Sequence, residues 1–286
     1  MRRAATVVLL LAACGGDSTG DPLPPVEAPD RNQAGEDAGA KKDAGNGTSL
    51  PDGSSVIDTT TCKNGMKDGD ESDVDCGGAS CTPCTNGKSC GGRGDCASQL
   101  CFGMKCNGDV GCSDGTREAF ADLAKFPNIA ACSGGWSLPG ILAGSAVPAC
   151  GRLGGNDSAN PNGNGCNVAD LCQAGWHVCS GPADVAGKSG GGGCANAGFA
   201  ADTFYVTRTS GNGLALCEAT GANDIFGCGS VGIAPDPGTC GPLGQFSSDL
   251  CASIPATFAC GADGTQEANA VTKTSAANGG ALCCRD

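Results

Sequence analysis

The sequence predicts a small disulfide-rich knot followed by a larger, disulfide-stabilised α+β domain, and three observations carry that prediction. Cysteine comes first: 23 of 286 residues are Cys, against 50 Gly and only 4% aromatics. So little large apolar surface struggles to offset the conformational entropy lost on folding, so cross-links must supply the difference. Parity is the second. With Cys14 set aside, eight cysteines fall in 62–106 and fourteen in 112–284. Both numbers are even, as complete pairing within two separately stapled units requires. The third is that the strand candidates are short and Gly-rich loops carry much of the rest. The boundary is expected near Asn107-Gly108-Asp109, giving a module at 62–107 and a domain at 108–286.

At the N-terminus, Arg2 and Arg3 precede an apolar run at 4–13. That run is far below the ~20 residues that span a bilayer, and its layout is that of an export signal over 1–13. Leu11-Ala12-Ala13-Cys14 resembles the lipobox of bacterial lipoproteins. The resemblance implies that Cys14 is diacylated on sulfur and becomes the new N-terminus, so that a membrane is the first partner. Gly15 stands where an Asp would favour inner-membrane retention, which by the same resemblance implies an outer-membrane or cell-surface address. Export into an oxidising compartment and a high cysteine count support each other.

Residues 15–61 hold no cysteine and are rich in Gly, Asp, Ala, Pro and Ser. A segment of this composition cannot bury enough surface to fold, so 14–61 is expected to be a lipidated Cys followed by a disordered tether. As a flexible coil it would reach roughly 35–40 Å.

Residues 62–106 pack cysteines too closely for long helices or strands, with Asn-Gly turns at 64 and 86 and Gly pairs at 77 and 91. Asn64-Gly65, an acidic stretch, Asp75-Cys76-Gly77-Gly78, the Cys81-Thr82-Pro83-Cys84 pair, Asp95-Cys96 and the last two cysteines, 101 and 106, together resemble a cysteine-rich repeat of myxobacterial surface proteins. That resemblance implies surface location and modular use. Cys81 and Cys84 form a CxxC, but no βαβ pattern surrounds them, so a structural role is expected rather than redox exchange or zinc binding.

In 108–286 the apolar spacing of Phe120, Leu123 and Ala124 predicts a helix over 116–126, stopped by Pro127. Asn167 is placed to cap a helical turn through 172, and Ser247 or Ser248 another through 253. Strands are expected at 176–179, 203–209 and 281–285. Cys283 and Cys284 on the last strand would point to opposite faces and bridge to different partners.

Net charge is −13 and no Lys/Arg cluster exists to neutralise phosphates, which excludes a nucleic-acid partner. Asp68, Asp70, Ser72, Asp73 and Asp75 are candidate calcium ligands, because hard oxygens two residues apart can wrap that ion. The match to an EF-hand loop stops at Asp73, where the turn needs Gly, and at Ala79, where the bidentate Glu should sit. The alternative is a solvated acidic turn. His177 is the single histidine; it alternates with Trp176 and Val178, as on the exposed side of a strand, and no GxSxG motif supplies a nucleophile for it. Asp170, Asp184, Glu218 and Asp224 are available for a hydrolytic carboxylate pair, with nothing in the sequence to single out two of them. The loop bearing Asn156, Asp157, Asn160, Asn162 and Asn164 can offer oxygens to calcium or to sugar hydroxyls, or be a turn-rich connection.

Asp170-Leu171-Cys172-Gln173-Ala174-Gly175-Trp176-His177-Val178, together with the ending Gly279-Gly280-Ala281-Leu282-Cys283-Cys284, resembles bacterial domains of the C-type-lectin-like fold. The resemblance implies that fold for the C-terminal domain. It adds Trp176, His177, Asn223 and Asp224 to the candidate ligand-binding residues, although the EPN and QPD tripeptides of the calcium-dependent sugar site are absent. The expected function is a surface lipoprotein, not an enzyme, that displays rigid modules for non-covalent recognition of a polysaccharide, matrix or partner protein. The alternatives are an extracytoplasmic hydrolase and a purely structural envelope protein.

Overall fold

Ten disulfides organise the computed structural model, in which residues 61–286 are described except 214 and 219. The expected signal, Cys14 and nearly all of the tether lie outside the described residues. Four bridges stay within the first module: Cys62–Cys81, Cys76–Cys84, Cys90–Cys101 and Cys96–Cys106. Six stay within the rest: Cys112–Cys132, Cys150–Cys166, Cys172–Cys283, Cys179–Cys284, Cys194–Cys228 and Cys251–Cys260. The expectation of complete pairing is therefore corrected at two positions, since Cys217 and Cys240 remain thiols.

The first module contains 3-10 turns at Thr61–Lys63 and Arg93–Asp95 and one hairpin, β1 (Cys101–Phe102) with β2 (Lys105–Cys106). Its two turn residues, Gly103 and Met104, both have positive φ, the geometry that matches the twist of a tight hairpin. The interior is mostly sulfur: Cys76, Cys84, Cys90, Cys96 and Cys106 form the buried cluster, and Leu100 is the fully buried aliphatic side chain of the module.

The remaining strands are β3 (Ile129–Ser133), β4 (Trp176–Val178), β5 (Phe204–Gly211), β6 (Cys217–Glu218), β7 (Asp224–Gly229), β8 (Gln245–Ser247), β9 (Phe258–Ala259), β10 (Thr272–Lys273) and β11 (Gly279–Arg285). Two short helices, α1 (Pro182–Lys188) and α2 (Glu267–Ala270), interrupt them. The main sheet runs β3-β11-β5-β7-β8, with β4 also on β11 and β6 on β5. The domain is thus mostly β, with few helices and many disulfides.

β11 is an interior strand with three partners, antiparallel to β3 and β4 and parallel to β5. Its residues alternate between two cores: Ala281 and Cys283 join Trp136, Trp176, Phe204 and Val206 on one face, whereas Leu282 and Cys284 join Phe120, Ile129, Tyr205 and Phe226 on the other. Cys283 and Cys284 accordingly bridge to Cys172 and Cys179, from opposite faces, as strand geometry requires. Closing a loop of about 100 residues removes ~4–5 kcal/mol of chain entropy from the unfolded state, and these two nested bridges overlap in that effect.

The strands expected at 176–179, 203–209 and 281–285 form, shifted at their ends by one or two residues. Asn167 does cap a 3-10 helix, Val168–Leu171, accepting from the Ala169 amide at 3.1 Å. The helix expected over 116–126 does not form. Glu118 N donates to Ala131 O and Ala119 bridges Ala131, so this segment edges the sheet, and Asp122 turns the chain by accepting from Ala124 N and Lys125 N. Nor does a helix start at Ser247 or Ser248: 245–247 is β8, paired to β7, and the chain beyond it forms turns over 249–253. Tertiary pairing overrides local propensity in both places.

Candidate functional site

The first module docks on the sheet domain through polar contacts. Gln173 Oε1 accepts from Val110 N and Gly111 N, both at 3.0 Å, while its Nε2 donates to Ser98 O at 3.0 Å. Arg93 Nη2 donates to Ser113 O at 3.1 Å and to Arg152 O. Alongside this junction runs a groove of about 340 Å³, lined among others by Arg93, Phe102, Asp114, Leu153, Asp157 and Ser158.

Each wall is built locally. The β1–β2 hairpin presents Phe102, 42% exposed, from the module side. Opposite it, the Cys112–Cys132 bridge ties the chain before Asp114 to β3, and Ser113 is held by Leu171 O at 2.9 Å and Gly154 O at 2.5 Å. Asp114 is buried and accepts from Thr116 N at 3.1 Å and from Asp157 N at 3.2 Å. Gly155 has to be glycine here: its φ is +126, and a Cβ would lie 2.6 Å from Asp114 Oδ2. Burial lifts the Asp114 carboxyl above the usual carboxylate range, and the neighbouring Asp157 charge adds to the effect. Behind it, burial pushes Glu118 up to about 7, while its Oε2 accepts from Ser133 N at 2.6 Å.

Of the asparagine-rich loop, Asp157 lines the groove, and its Oδ2 accepts from Thr116 Oγ1 at 2.7 Å. Asn156 lies beside Glu118. Asn160 folds back on its own loop, accepting from Asn164 N at 3.0 Å and donating to Asn164 O at 2.9 Å. Asn162 and Asn164 are exposed. The Cys150–Cys166 bridge spans the loop, and Gly163, with φ +64, passes so close to Gly135 that a Cβ would meet its carbonyl at 1.9 Å.

Trp176 is buried at 2% exposure, its Nε1 on Asp109 Oδ1, with the Arg117 and Arg285 guanidinium groups 5.5 and 5.3 Å from its ring. It packs the strand rather than facing solvent. His177 is held at both ring nitrogens, Nδ1 by Asp286 Oδ1 at 2.6 Å and Nε2 by Asp184 Oδ2 at 2.9 Å. That leaves no ring nitrogen free to take a proton from a nucleophile.

The oxygens of the 68–75 turn are largely committed inward. Asp70 Oδ2 accepts from Ala79 N and Ser80 N, Asp75 from Gly65 N, and Asp73 from Val74 N, Ser89 N and Lys88 Nζ. Those amides hold the Asp73 carboxyl far below the usual range. Asp68 Oδ2 accepts from Asn64 Nδ2, its Oδ1 is buried without a partner, and the Ser72 hydroxyl lies 3.6 Å from Cys84 Sγ. Among the described residues, each cluster with three potential ligand atoms within 4.8 Å of one another contains disulfide-bonded cysteines, whose sulfurs are spent.

Of the four carboxylates available for hydrolysis, Asp170 accepts from four backbone amides, Ala149, Cys150, Arg152 and Asn167, and serves the fold. Asp184 is taken by His177, and Glu218 is exposed on β6. Asn223 and Asp224 line a separate cleft of about 320 Å³. A larger depression of about 590 Å³, bordered by Val231, Pro255 and Thr274, has Asp202 as its one ionisable side chain and lacks convergent chemistry. Sequence reasoning missed Arg93, Phe102, Asp114 and Glu118. Asp114-Gly115 signals a turn, and only the disulfide to β3 brings it to a groove. No family model matches this chain, and no solved structure matches it.

Proposed function

We propose that this chain is a lipid-anchored surface protein whose disulfide-stapled modules recognise a polysaccharide non-covalently in the groove between them. One observation carries the reading. Exposed Phe102, on the module side with Arg93, shares the groove with Asp157 and Ser158 of the sheet domain, an apolar ring beside fixed hydrogen-bonding groups, which suits a sugar's apolar face and hydroxyls. Disulfides fix both walls, so binding orders little of the protein. Cys14 carries the lipid and holds the chain at the outer membrane or cell surface; among the described residues no helix is long and apolar enough to cross a membrane. The finer fold is the C-type-lectin-like one. The pairing of the Trp176 strand with the C-terminal strand and the Cys172–Cys283 bridge support it.

The test is binding of the full-length Cys14→Ser variant, exported and oxidised, to isolated envelope polysaccharides. Saturable binding that falls at least about tenfold in Phe102→Ala and Asp157→Asn supports the groove; equal binding by those variants removes it. Retention of a labelled fatty acid by the same Cys14→Ser protein would overturn the anchor. A hydrolase is the second reading, favoured by Asp114, whose raised carboxyl sits against Asp157 as a general acid beside a carboxylate base would. Sugar release abolished by Asp114→Asn, with binding retained, would select it.

A further inference from the structure

Three consecutive residues of the sheet domain, Ser113-Asp114-Gly115, gather the groups of the Phe102 groove. Ser113 O accepts from Arg93 Nη2 at 3.1 Å, and Arg152 O, one residue before Leu153, accepts from the same nitrogen. Asp114 accepts from Asp157 N at 3.2 Å. Gly115, with φ +93, runs against the base of Phe102: a Cβ there would lie 3.8 Å from Phe102 Cβ and Cγ. Consecutive Cα atoms are ~3.8 Å apart, so the guanidinium, the Asp157 backbone and the Phe102 ring are each tied to a stretch of backbone no more than ~8 Å long.

The chemistry gathered there is mixed. Arg93 lines the groove with its Nη1 buried and without a partner. That donor is already stripped of water, so an acceptor that reaches it gains a charge-assisted bond with no further desolvation of the guanidinium. Asp157 is exposed and offers acceptor oxygens. Phe102 and Leu153 are 42% and 48% exposed, two apolar side chains in one groove. A plain hexose has a ring face for Phe102 and hydroxyls for Arg93 and Asp157, but nothing for a second apolar side chain. A ligand carboxylate would suit Arg93 but meet Asp157, in a chain of net charge −13. An ester acetyl lacks a donor for Asp157, and the methyl of a deoxy sugar brings no acceptor for Arg93. The acetamido group carries an acceptor, a donor and a methyl together, and it is neutral.

We propose that the groove selects sugars bearing an acetamido group, the N-acetylhexosamines. The acetamido oxygen takes the Arg93 donor, its N–H donates to Asp157, its methyl rests on Leu153, and the sugar ring lies on Phe102. This names the ligand class of the polysaccharide reading and rests on that reading. Both walls are stapled, the hairpin of Phe102 through Cys101 and Cys106 and the approach to Asp114 through Cys112–Cys132, so the contacts are set before the ligand arrives. Selectivity follows because a sugar without the acetamido group leaves the buried Arg93 donor unserved.

The experiment is calorimetric titration of the full-length, exported and oxidised protein in detergent micelles with four β-1,4-linked tetramers, of glucose, N-acetylglucosamine, glucosamine and glucuronate. The N-acetylglucosamine tetramer should bind at least about tenfold more tightly than the glucose tetramer, the usual effect of one hydrogen bond to a charged group. Leu153→Ala, a change at an exposed side chain that leaves the fold intact, should narrow that ratio severalfold. Arg93→Lys, which keeps the charge and loses the Nη1 donor, should bring it close to one. Phe102→Ala should weaken both neutral tetramers alike, because the ring face is common to them. Equal binding of the two neutral tetramers, lost in Phe102→Ala, overturns the acetamido proposal and leaves the groove reading standing. Tightest binding of the glucuronate or glucosamine tetramer overturns it in favour of a charged ligand. A preference that survives both Leu153→Ala and Arg93→Lys also overturns it, as does binding of none of the four; if isolated envelope polysaccharides fail to bind as well, the groove reading goes with it.

Discussion

Cys217 and Cys240 lie side by side in the hydrophobic cluster that stacks Phe226 on Phe246 at 5.3 Å, and they are the two cysteines among the described residues outside a disulfide. Burial raises both thiols above their usual range, and at Cys240 the Cys217 neighbour adds to it. Alkylation of the native protein at pH 8 is therefore expected to be slow, because the thiolate is the nucleophile. Treatment with a disulfide-bearing oxidant should close an eleventh bridge. Each sulfur loses one hydrogen, the oxidant's disulfide is reduced to a dithiol, and the chain loses two hydrogens in mass. After oxidation and denaturation no cysteine of 61–286 should label. Labelling of both under those conditions, or bridges from either to a third cysteine, would show that the contact is wrong.

Stability should pass through a minimum near pH 7. Glu118 and Glu267 are raised in the folded state to about 7, so between pH ~4.5 and 7 the folded chain holds more protons than the unfolded one and stability falls as pH rises. Lys273, buried among Phe258, Ser275 O and Ala277 O, is lowered by desolvation to about 7. Between 7 and ~10.5 the unfolded chain then holds the extra proton, and stability rises with pH. Urea midpoints from pH 5 to 10 in chelator measure this. Glu267→Gln should flatten the acid limb, and Lys273→Met the alkaline limb.

Gln173 is the hinge pin between the module and the sheet domain, since one side chain satisfies two amides on one side and a carbonyl on the other. Gln173→Ala leaves the buried Gly111 amide unpaired and is expected to cost about 1–3 kcal/mol. Limited proteolysis should then cut near 107–111 first. Peptide mapping without reductant should find no disulfide-linked pair crossing that segment in either protein.

His177→Gln should cost little, about 0.5–1 kcal/mol, because the ion pairs it loses to Asp184 and Asp286 are partly exposed. Polysaccharide binding in the groove should be unchanged. The low carboxyl of Asp184, held down by the Ser180 amide and by His177, contributes stability that is present above its unfolded pKa of ~4 and lost as pH falls further. Acid unfolding of His177→Gln should therefore be less steep. A large loss of binding in this variant would return His177 to the candidate ligand set.

Much of this domain's β structure was hidden for one physical reason. β3 and β7 are covered on both faces, so their burial is nearly continuous and the polar alternation of a half-exposed strand never appears. Ile129-Ala-Ala-Cys-Ser133 and Asp224-Ile-Phe-Gly-Cys-Gly229 are not among the expected strands for that reason. Conversely, Phe120, Leu123 and Ala124 carry a helical spacing, but the chain around them edges the sheet and turns at Asp122.

The sequence by itself determined the division of cysteines between the two stapled units, the opposite facing of Cys283 and Cys284, and the Asn167 cap. These follow from counting, strand geometry and local hydrogen bonding, which act between near neighbours. Only the tertiary structure decided which cysteines pair, that Trp176 is buried and His177 held at both nitrogens, and that Asp114 meets Asp157. Those contacts join residues 43 apart at Asp114 and Asp157, 67 apart at Trp176 and Asp109, and 111 apart at Cys172 and Cys283. Separation on that scale leaves no periodic trace, because the fold sets the neighbours through sheet order and loop closure rather than through spacing along the chain.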